Sequence, residues 1–469
     1  MTVTVYDRME AAQEAIQRMR VPQPDHVMRP GGPNGLQAVY TLATRRTAPY
    51  LYFQQLAAQF GPVTYFRFNR EHVYLLSDPG LIWQAFVTDG RSMLKGRGLQ
   101  LTRTLLGNGL LNSEGDYHRR NRRLVQPAFH RQAIAGYAAD MVGSMRDLSD
   151  RWDARILGRT DQVDVVEQMS SLTLDVVGRT LFGADLTGDA AEVGDALNQS
   201  LVAFSRLVSP LGPLLVRLPS RSRRTMLESV QRLDRVVTGL IDSKRSEIAA
   251  GHAATDVASL LMQTIDEETG ESLTDDEVRD ETMTLVLAGH ETTAMTLSWA
   301  LRDLTMHADT LAWIREEIDA LPDRDLTLAD IAALPRTHAV VAESMRLHPP
   351  AWMLPRYTAA DVELGGWLIP AGCVVLASQY TMHRTERFWP EADRFLPRRW
   401  LADGRFDEKT PGVPRGVWFP VGFGSRRCIG EQFAWVEAVL VLATLLREWE
   451  VTVLAPEAPP ACPIPPYSA

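Results

Sequence analysis

The sequence predicts a mainly α fold with small β-sheets, an α+β chain forming one large domain over residues 1–469. Apolar residues recur at three- and four-residue spacing through most of the chain, while β-like runs are short and few. No linker, internal repeat or low-complexity stretch divides the 469 residues, which argues against splitting them into three domains. With 45% hydrophobic and 23% charged residues the composition supports a deep core and excludes intrinsic disorder. The net charge of −9 disfavours a generally basic nucleic-acid binder.

Taken in order, an N-terminal lead (1–40) carries charges from Asp7 onward and lacks an apolar h-region, so a signal peptide is not expected. Pro30, Gly31, Gly32 and Pro33 punctuate it. Val63–Phe68 and His72–Leu76, joined by Asn69, Arg70 and Glu71, read as a hairpin. Segments 130–155, 163–182, 225–250, 275–305, 310–320 and 431–448 read as helices, and Val374–Ala377 as a further strand. A Pro-rich tail covers 456–469. No run of about 18 apolar residues marks a membrane span. Cysteines stand at 373, 428 and 462, too far apart for a zinc ribbon or ferredoxin pattern, and they suit a reducing cytoplasm.

The densest chemistry lies between Trp418 and Gly430. Gly422, Gly424 and Gly430 let the backbone turn tightly and bring N–H groups toward the Cys428 sulfur. Arg426, Arg427 and the start of the following helix favour a thiolate there. A lone cysteine is ordinarily a packing residue. Two arginines and three glycines around it are more than packing needs. A nucleophilic cysteine would require a histidine base, and no sequence-local partner marks one among the ten histidines. A dinucleotide loop would need glycine at 427, where arginine stands.

Asp280 to Arg302 reads as one helix with a largely apolar middle. Gly289 costs such a helix about 1 kcal/mol relative to alanine and leaves backbone room beside a ligand. Glu291 and Thr292 set an acid and a hydroxyl in this interior, where an acid is seldom found without a task or a partner. The bland reading is a salt-bridged Glu and a Thr bonded back to a carbonyl. A zinc-protease HExxH would need histidine at 294, where Ala294 stands. Glu343 and Arg346 are i, i+3 partners ahead of the stop His348, Pro349 and Pro350, a spacing common on solvated helix faces. In the basic stretch from Gly115 to Phe129, His118 and Arg122 share one helix face and can grip an anion, while Arg119, Arg120 and Arg123 take other faces.

The loop resembles the heme-binding signature of the cytochromes P-450, Phe-x-x-Gly-x-Arg-x-Cys-x-Gly, departing only at Val421, which Phe419 and Phe423 flank. Ala288 to Thr293 matches that family's oxygen-activation motif, Ala/Gly-Gly-x-Asp/Glu-Thr-Thr, without a gap. Glu343 to Arg346 matches its ExxR motif, Arg399 falls at the partner arginine, and His118 to Arg122 matches its His-x-x-x-Arg form. The resemblance spans roughly residues 115 to 430 in five ordered motifs.

It implies a soluble heme-thiolate monooxygenase with heme b (iron protoporphyrin IX) between the long helix and the cysteine-loop helix. Cys428 would be the axial ligand, and His118, Arg122, Arg356 and Arg426 would hold propionates, with Ala288, Gly289, Gly422, Gly424 and Gly430 lining the cofactor. Thr292 would hydrogen-bond at the oxygen being activated, and Glu291 would relay protons. Glu343, Arg346 and Arg399 would lock the scaffold. Leu285, Trp352, Met353, Leu354 and the stretch 85–112 would line the pocket for a lipophilic terpenoid, fatty acid or polyketide. Too little chain follows Cys428 for a fused reductase, flavin or iron–sulfur domain, so electrons are expected from a ferredoxin or flavodoxin with its reductase. The exposed arginines beside His118 would attract that acidic donor. The alternatives are a peroxide-driven peroxygenase and a non-catalytic heme-binding protein.

Overall fold

The computed structural model describes residues 27–35, 48–68, 71–96, 102–157, 162–183, 221–251, 256–410 and 412–452, with scattered positions outside these runs. Most of the N-terminal lead and the Pro-rich tail lie outside the described residues. Among the described residues the helices of seven or more residues are α1 (Pro49–Phe60), α2 (Gly115–Val125), α3 (Arg131–Leu157), α4 (Val165–Phe182), α5 (Arg221–Ala249), α6 (Val257–Gln263), α7 (Asp275–Met306), α8 (Ala308–Asp319), α9 (Pro335–Leu347) and α10 (Glu431–Glu448). The strands are β1 (Val63–Phe68), β2 (Glu71–Leu76), β3 (Met93–Lys95), β4 (Leu354–Thr358), β5 (Val362–Leu364), β6 (Trp367–Ile369), β7 (Val374–Ala377), β8 (Leu401–Ala402) and β9 (Arg405–Phe406).

Local chemistry sets the ends of the helices that matter most. Thr274 caps α7 and exchanges hydrogen bonds with Glu277 in a capping box, and Asp275, Asp276 and Glu277 favour the positive end of the helix dipole. Asp164 caps α4 by accepting from Val166 and Glu167, and Gly183 stops it in the left-handed region at φ 53°. Both helices then bury nearly every side chain of their middles, because α7 runs through the centre of the molecule with α4 packed along it. The largely apolar middle of α10, interrupted by Glu437, is buried against α3, α7 and α9.

One five-stranded sheet, ordered β1-β2-β7-β4-β3, carries the hairpin at one edge. At the other edge β3 and β4 are antiparallel, and their register sets Lys95 opposite Arg356. Two hairpins, β5-β6 and β8-β9, stand apart. The main core runs through the helices, and a second, smaller core gathers Tyr50, Phe53, Phe66, Trp352 and Tyr380 under α1.

Candidate active site

Cys428 is held in a loop whose turns need glycine. Gly422 and Gly424 have φ of 78° and 60°, and a side chain at Gly424 would press on the Phe86 carbonyl at 3.0 Å. Val421 takes the position usually aromatic and accepts the Cys428 N–H at 2.9 Å. Phe423 stacks on Phe419 instead. Gly430 needs no special φ, but its Cβ would sit 4.0 Å from the Cys428 sulfur and 3.7 Å from Phe129. Protein surrounds the cysteine, and that burial pushes its pKa up; the Gly430 N–H, Arg122 and Arg427 pull it down. The residue itself is still exposed, on a surface the loop leaves open. Arg426 does not favour the thiolate as expected. It donates to the Ser113 carbonyl at 2.9 Å and pairs with Glu114.

The scaffold residues converge beneath this loop. Arg346 donates to both Glu343 oxygens at 2.9 and 2.8 Å, and Arg399, Trp400 and the Leu396 N–H also reach that carboxylate. Burial pushes the Glu343 pKa up, but the Arg346 hydrogen bonds and the two arginine charges bring it below its ordinary value. Arg346 also holds the His383 carbonyl at 2.7 Å, and the His383 ring accepts the Phe419 N–H at 3.2 Å. The Glu343–Arg346 pair on α9 and the distant Arg399 are thus wired through His383 to the start of the cysteine loop.

On α7 the burial pattern breaks in one place. Ala288 and Thr292, one turn apart, are exposed in a helix otherwise buried on both sides of them, and Glu291 is half-buried beside them. Burial raises the Glu291 pKa, so this carboxyl keeps a proton to higher pH than an exposed one. The Thr292 hydroxyl donates to the Ala288 carbonyl at 2.7 Å, leaving its lone pairs to accept from the open side. Gly289 departs from expectation. Its Cβ would lie 3.1 Å from Val177 on α4, so the glycine serves helix packing and gives no room to a ligand.

A cluster of basic side chains meets at the β3–β4 edge. Lys95, Arg356 and His118 are buried, with Arg426 beside them and Glu114 as the nearby acid. Burial, with the Glu114 carboxylate opposing it and Arg426 adding to it, brings the Arg356 pKa down to about 10. Lys95 is driven well below its ordinary value by burial and by Arg426, and His118 to about 3 by burial, Arg426, Lys95 and Arg122. Like charges opposite one another across a sheet are unfavourable. The cluster therefore suits a dianionic ligand, as two propionates would be. Arg122 reaches instead to the Arg427 carbonyl at 2.8 Å. Lys95 and Glu114 carry no sequence signal of this role, because the β3–β4 register brings Lys95 to Arg356 and the Lys95 N–H in turn holds the Glu114 carboxylate at the start of α2, at 2.6 Å.

Among the described residues no group of three or more His, Cys, Asp or Glu is placed to hold a metal ion, so iron here would need a ring of ligands of its own. A heme fits the donor set of one bare cysteine, one bare stretch of a central helix and a buried cationic edge.

The expected pocket residues part company. Leu285 is buried in α7, and Leu354 lies against the cysteine loop, 3.8 Å from the Cβ that Gly422 would carry. Trp352 packs on Tyr50 and Phe53 in the smaller core, with Met353 against the same cluster. Within the stretch 85–112, Asn108 and Leu110 donate backbone N–H groups to Asp280 and Glu281 at 2.6 and 2.9 Å, tying that segment to α7. The expected arginine patch is mostly neutralised. Arg120 pairs with Glu277 and Arg123 with Asp266 and Glu268; Arg119 is 66% exposed and pairs with Asp116.

Comparison with known proteins agrees with this geometry. The family model for Cytochrome P450 matches residues 30–467. Cyclooctatin synthase of Streptomyces melanosporofaciens is 35% identical over 447 residues, covering 95% of this chain and 93% of its own. Cyclooctat-9-en-7-ol 5-monooxygenase of the same organism is 35% identical, covering 88% of this chain and 87% of its own. Pentalenene oxygenase of Streptomyces avermitilis is 32% identical, covering 86% and 87%. With the family model across most of its length and relatives of this identity and coverage, the chain belongs to the cytochrome P450 family.

Proposed function

We propose that this P450 monooxygenase oxidises a cyclic terpenoid, using heme b ligated by Cys428 and electrons from a separate ferredoxin. The observation that carries the chemical reading is the exposed Ala288–Thr292 turn with Glu291 beside it, in a helix buried elsewhere. The relatives are named for cyclooctat-9-en-7-ol and pentalenene, both terpenoids, which supports the substrate class. Among the described residues no helix is long and apolar enough to cross a membrane.

When bound, the heme supplies dioxygen activation and transfer of one oxygen atom to a C–H or C=C bond, the other leaving as water. The chain supplies the rest. Cys428 offers its sulfur from a loop fixed by two left-handed glycines. Lys95, Arg356 and Arg426 form the cationic edge for the two carboxylates, with the neutral His118 ring beside them as a hydrogen-bond donor. Thr292, its proton already given to Ala288, accepts a hydrogen bond at the reaction centre, and Glu291 holds a proton to pass on. Glu343, Arg346 and Arg399 fix the loop from below.

The test combines two spectra. The reduced carbon monoxide complex should show the strongly red-shifted Soret band of thiolate ligation, lost in Cys428→Ser and kept in Cys373→Ser. Cyclooctat-9-en-7-ol and pentalenene should give type I shifts that a fatty acid such as palmitate does not. A Soret band that survives in Cys428→Ser overturns the ligand assignment. A palmitate shift with none from either terpenoid overturns the substrate class.

A further inference from the structure

We propose that Ser170 and Thr173 on α4 are positioning residues that set the register of α7 at His290, and so the direction in which Glu291 and Thr292 point. This rests on the role given above to those two residues.

The geometry is specific to one face of each helix. The Ser170 hydroxyl and His290 Nε2 are 2.7 Å apart, and the Thr173 hydroxyl lies 2.9 Å from the His290 carbonyl. Val177, one turn further along α4, meets Gly289. Ser170, Thr173 and Val177 are spaced i, i+3 and i+7, a single stripe of α4. On α7, at about 100° per residue, His290 lies roughly 180° from the midpoint of Ala288 and Thr292. α4 therefore grips the back of the helix directly behind its exposed turn.

Two features separate this from ordinary packing. The grip holds both the side chain and the main chain of a single residue, which fixes rotation as well as distance. It also falls where the ladder of α7 is already shared. The Ala288, His290 and Thr292 carbonyls each lie within hydrogen-bond distance of a hydroxyl, those of Thr292, Thr173 and Thr296 respectively. Side-chain hydroxyls entering the ladder bend helices, so an outside contact is needed to choose one bend. Thr173 is fully buried, and its proton could instead serve the Met169 or Ser170 carbonyl of its own helix, at 3.0 and 3.2 Å. Burial keeps the His290 ring neutral, with its pKa lowered to about 4, and Ser170 is the residue that meets the ring, through its hydroxyl at Nε2 and through its backbone.

The experiment reads the C–O stretch of the reduced carbon monoxide complex in the intact protein, with hydrogen exchange of the α7 amides as a second measure. Thr292→Ala should move or split the stretch, because the probe lies at the exposed turn. Ser170→Ala/Thr173→Val should retain the thiolate Soret band yet displace the stretch, and speed exchange around 290–296 about 30-fold, near what two lost buried hydrogen bonds allow. Ser170→Ala/Thr173→Ser, which keeps the hydroxyl at 173, should bring the stretch back toward the wild-type position that Ser170→Ala/Thr173→Val loses. A stretch unmoved in the double variant but moved in Thr292→Ala overturns this inference and leaves the proposed function standing. If Thr292→Ala leaves the stretch in place, the role of the exposed turn itself falls. Should the double variant not retain heme, Ser170→Ala, which deletes one oxygen, carries the same readings.

Discussion

Glu437 gives the sharpest quantitative expectation. It sits in the apolar middle of α10, is 0% exposed, and neither carboxyl oxygen has a well-formed hydrogen bond. Burial pushes its pKa up to about 8, with the Thr293 hydroxyl on α7 pulling the other way. A carboxyl whose folded value is raised above its unfolded value stabilises the fold at low pH and loses that contribution as pH rises through the folded value. The window here runs from about 4.5 to about 8. Each pH unit within it costs the folded state up to about 1.4 kcal/mol, so moving from pH 5.5 to 7.5 removes about 2–3 kcal/mol.

Glu437→Gln is the perturbation, since the amide keeps the shape and cannot ionise. Burying an amide without partners costs about 1–3 kcal/mol, but that cost is independent of pH. Thermal unfolding of both heme-loaded proteins at pH 5.5 and 7.5, scanned at one rate, isolates the difference. A chain of this length has an unfolding entropy near 1 kcal/mol/K, so the variant should gain about 2–3 °C on the wild type over that pH step. Buried His118, His290 and His383 and half-buried His338, all held below their ordinary values, push stability the opposite way and are common to both proteins. Parallel pH curves for the two proteins would refute the reasoning, because they would show Glu437 ionising in the fold as it does in the unfolded chain.

Two further outcomes follow from charge. Lys95→Met removes one of two cations that face each other across β3 and β4; it should stabilise the apoprotein by about 1 kcal/mol and lower heme affinity about 10- to 100-fold, the reach of one charge-assisted contact, measured by heme transfer to a scavenger protein. Reduction by an acidic [2Fe–2S] ferredoxin should slow as salt rises, because exposed charges are screened over about 8–10 Å, and Arg119→Glu should slow it further while Arg120→Ala, whose partner is Glu277, should not; a salt-independent rate would place the donor's contact elsewhere.

The sequence was most legible where a period or a turn carries the information. All six helices expected from apolar spacing lie within a few residues of α3, α4, α5, α7, α8 and α10, and the hairpin matches β1 and β2. Strands β3 and β4 escaped notice because three or five residues are too short to show a period, and Pro355 interrupts the second. That omission hid the cationic edge, since nothing local makes Lys95 the neighbour of Arg356. Trp352 illustrates the converse. A bulky apolar side chain after ExxR suits a pocket and a core equally, and only the position of α1 sends it to Tyr50 and Phe53. The basic stretch read as a patch because sequence shows charges and not their partners, and two of its three outward arginines are committed to acids before and within α7.

The stretch from Ala288 to Thr293 shows how a motif can mix unlike duties. Six residues at about 100° each cover the whole circumference of a helix, so they cannot all face one ligand. Ala288 and Thr292 take the open side with Glu291 next to them, Gly289 admits Val177, His290 meets Ser170, and Thr293 lies against Glu437. Half of the motif is thus fixed by α4 and α10, two helices that contribute nothing to the open side. Substitutions at 289 and 290 should then act through the placement of α7, whereas those at 291 and 292 should act at the reaction itself. A reading that treats the motif as a single catalytic unit would assign to chemistry what belongs to packing, as the expectation for Gly289 did.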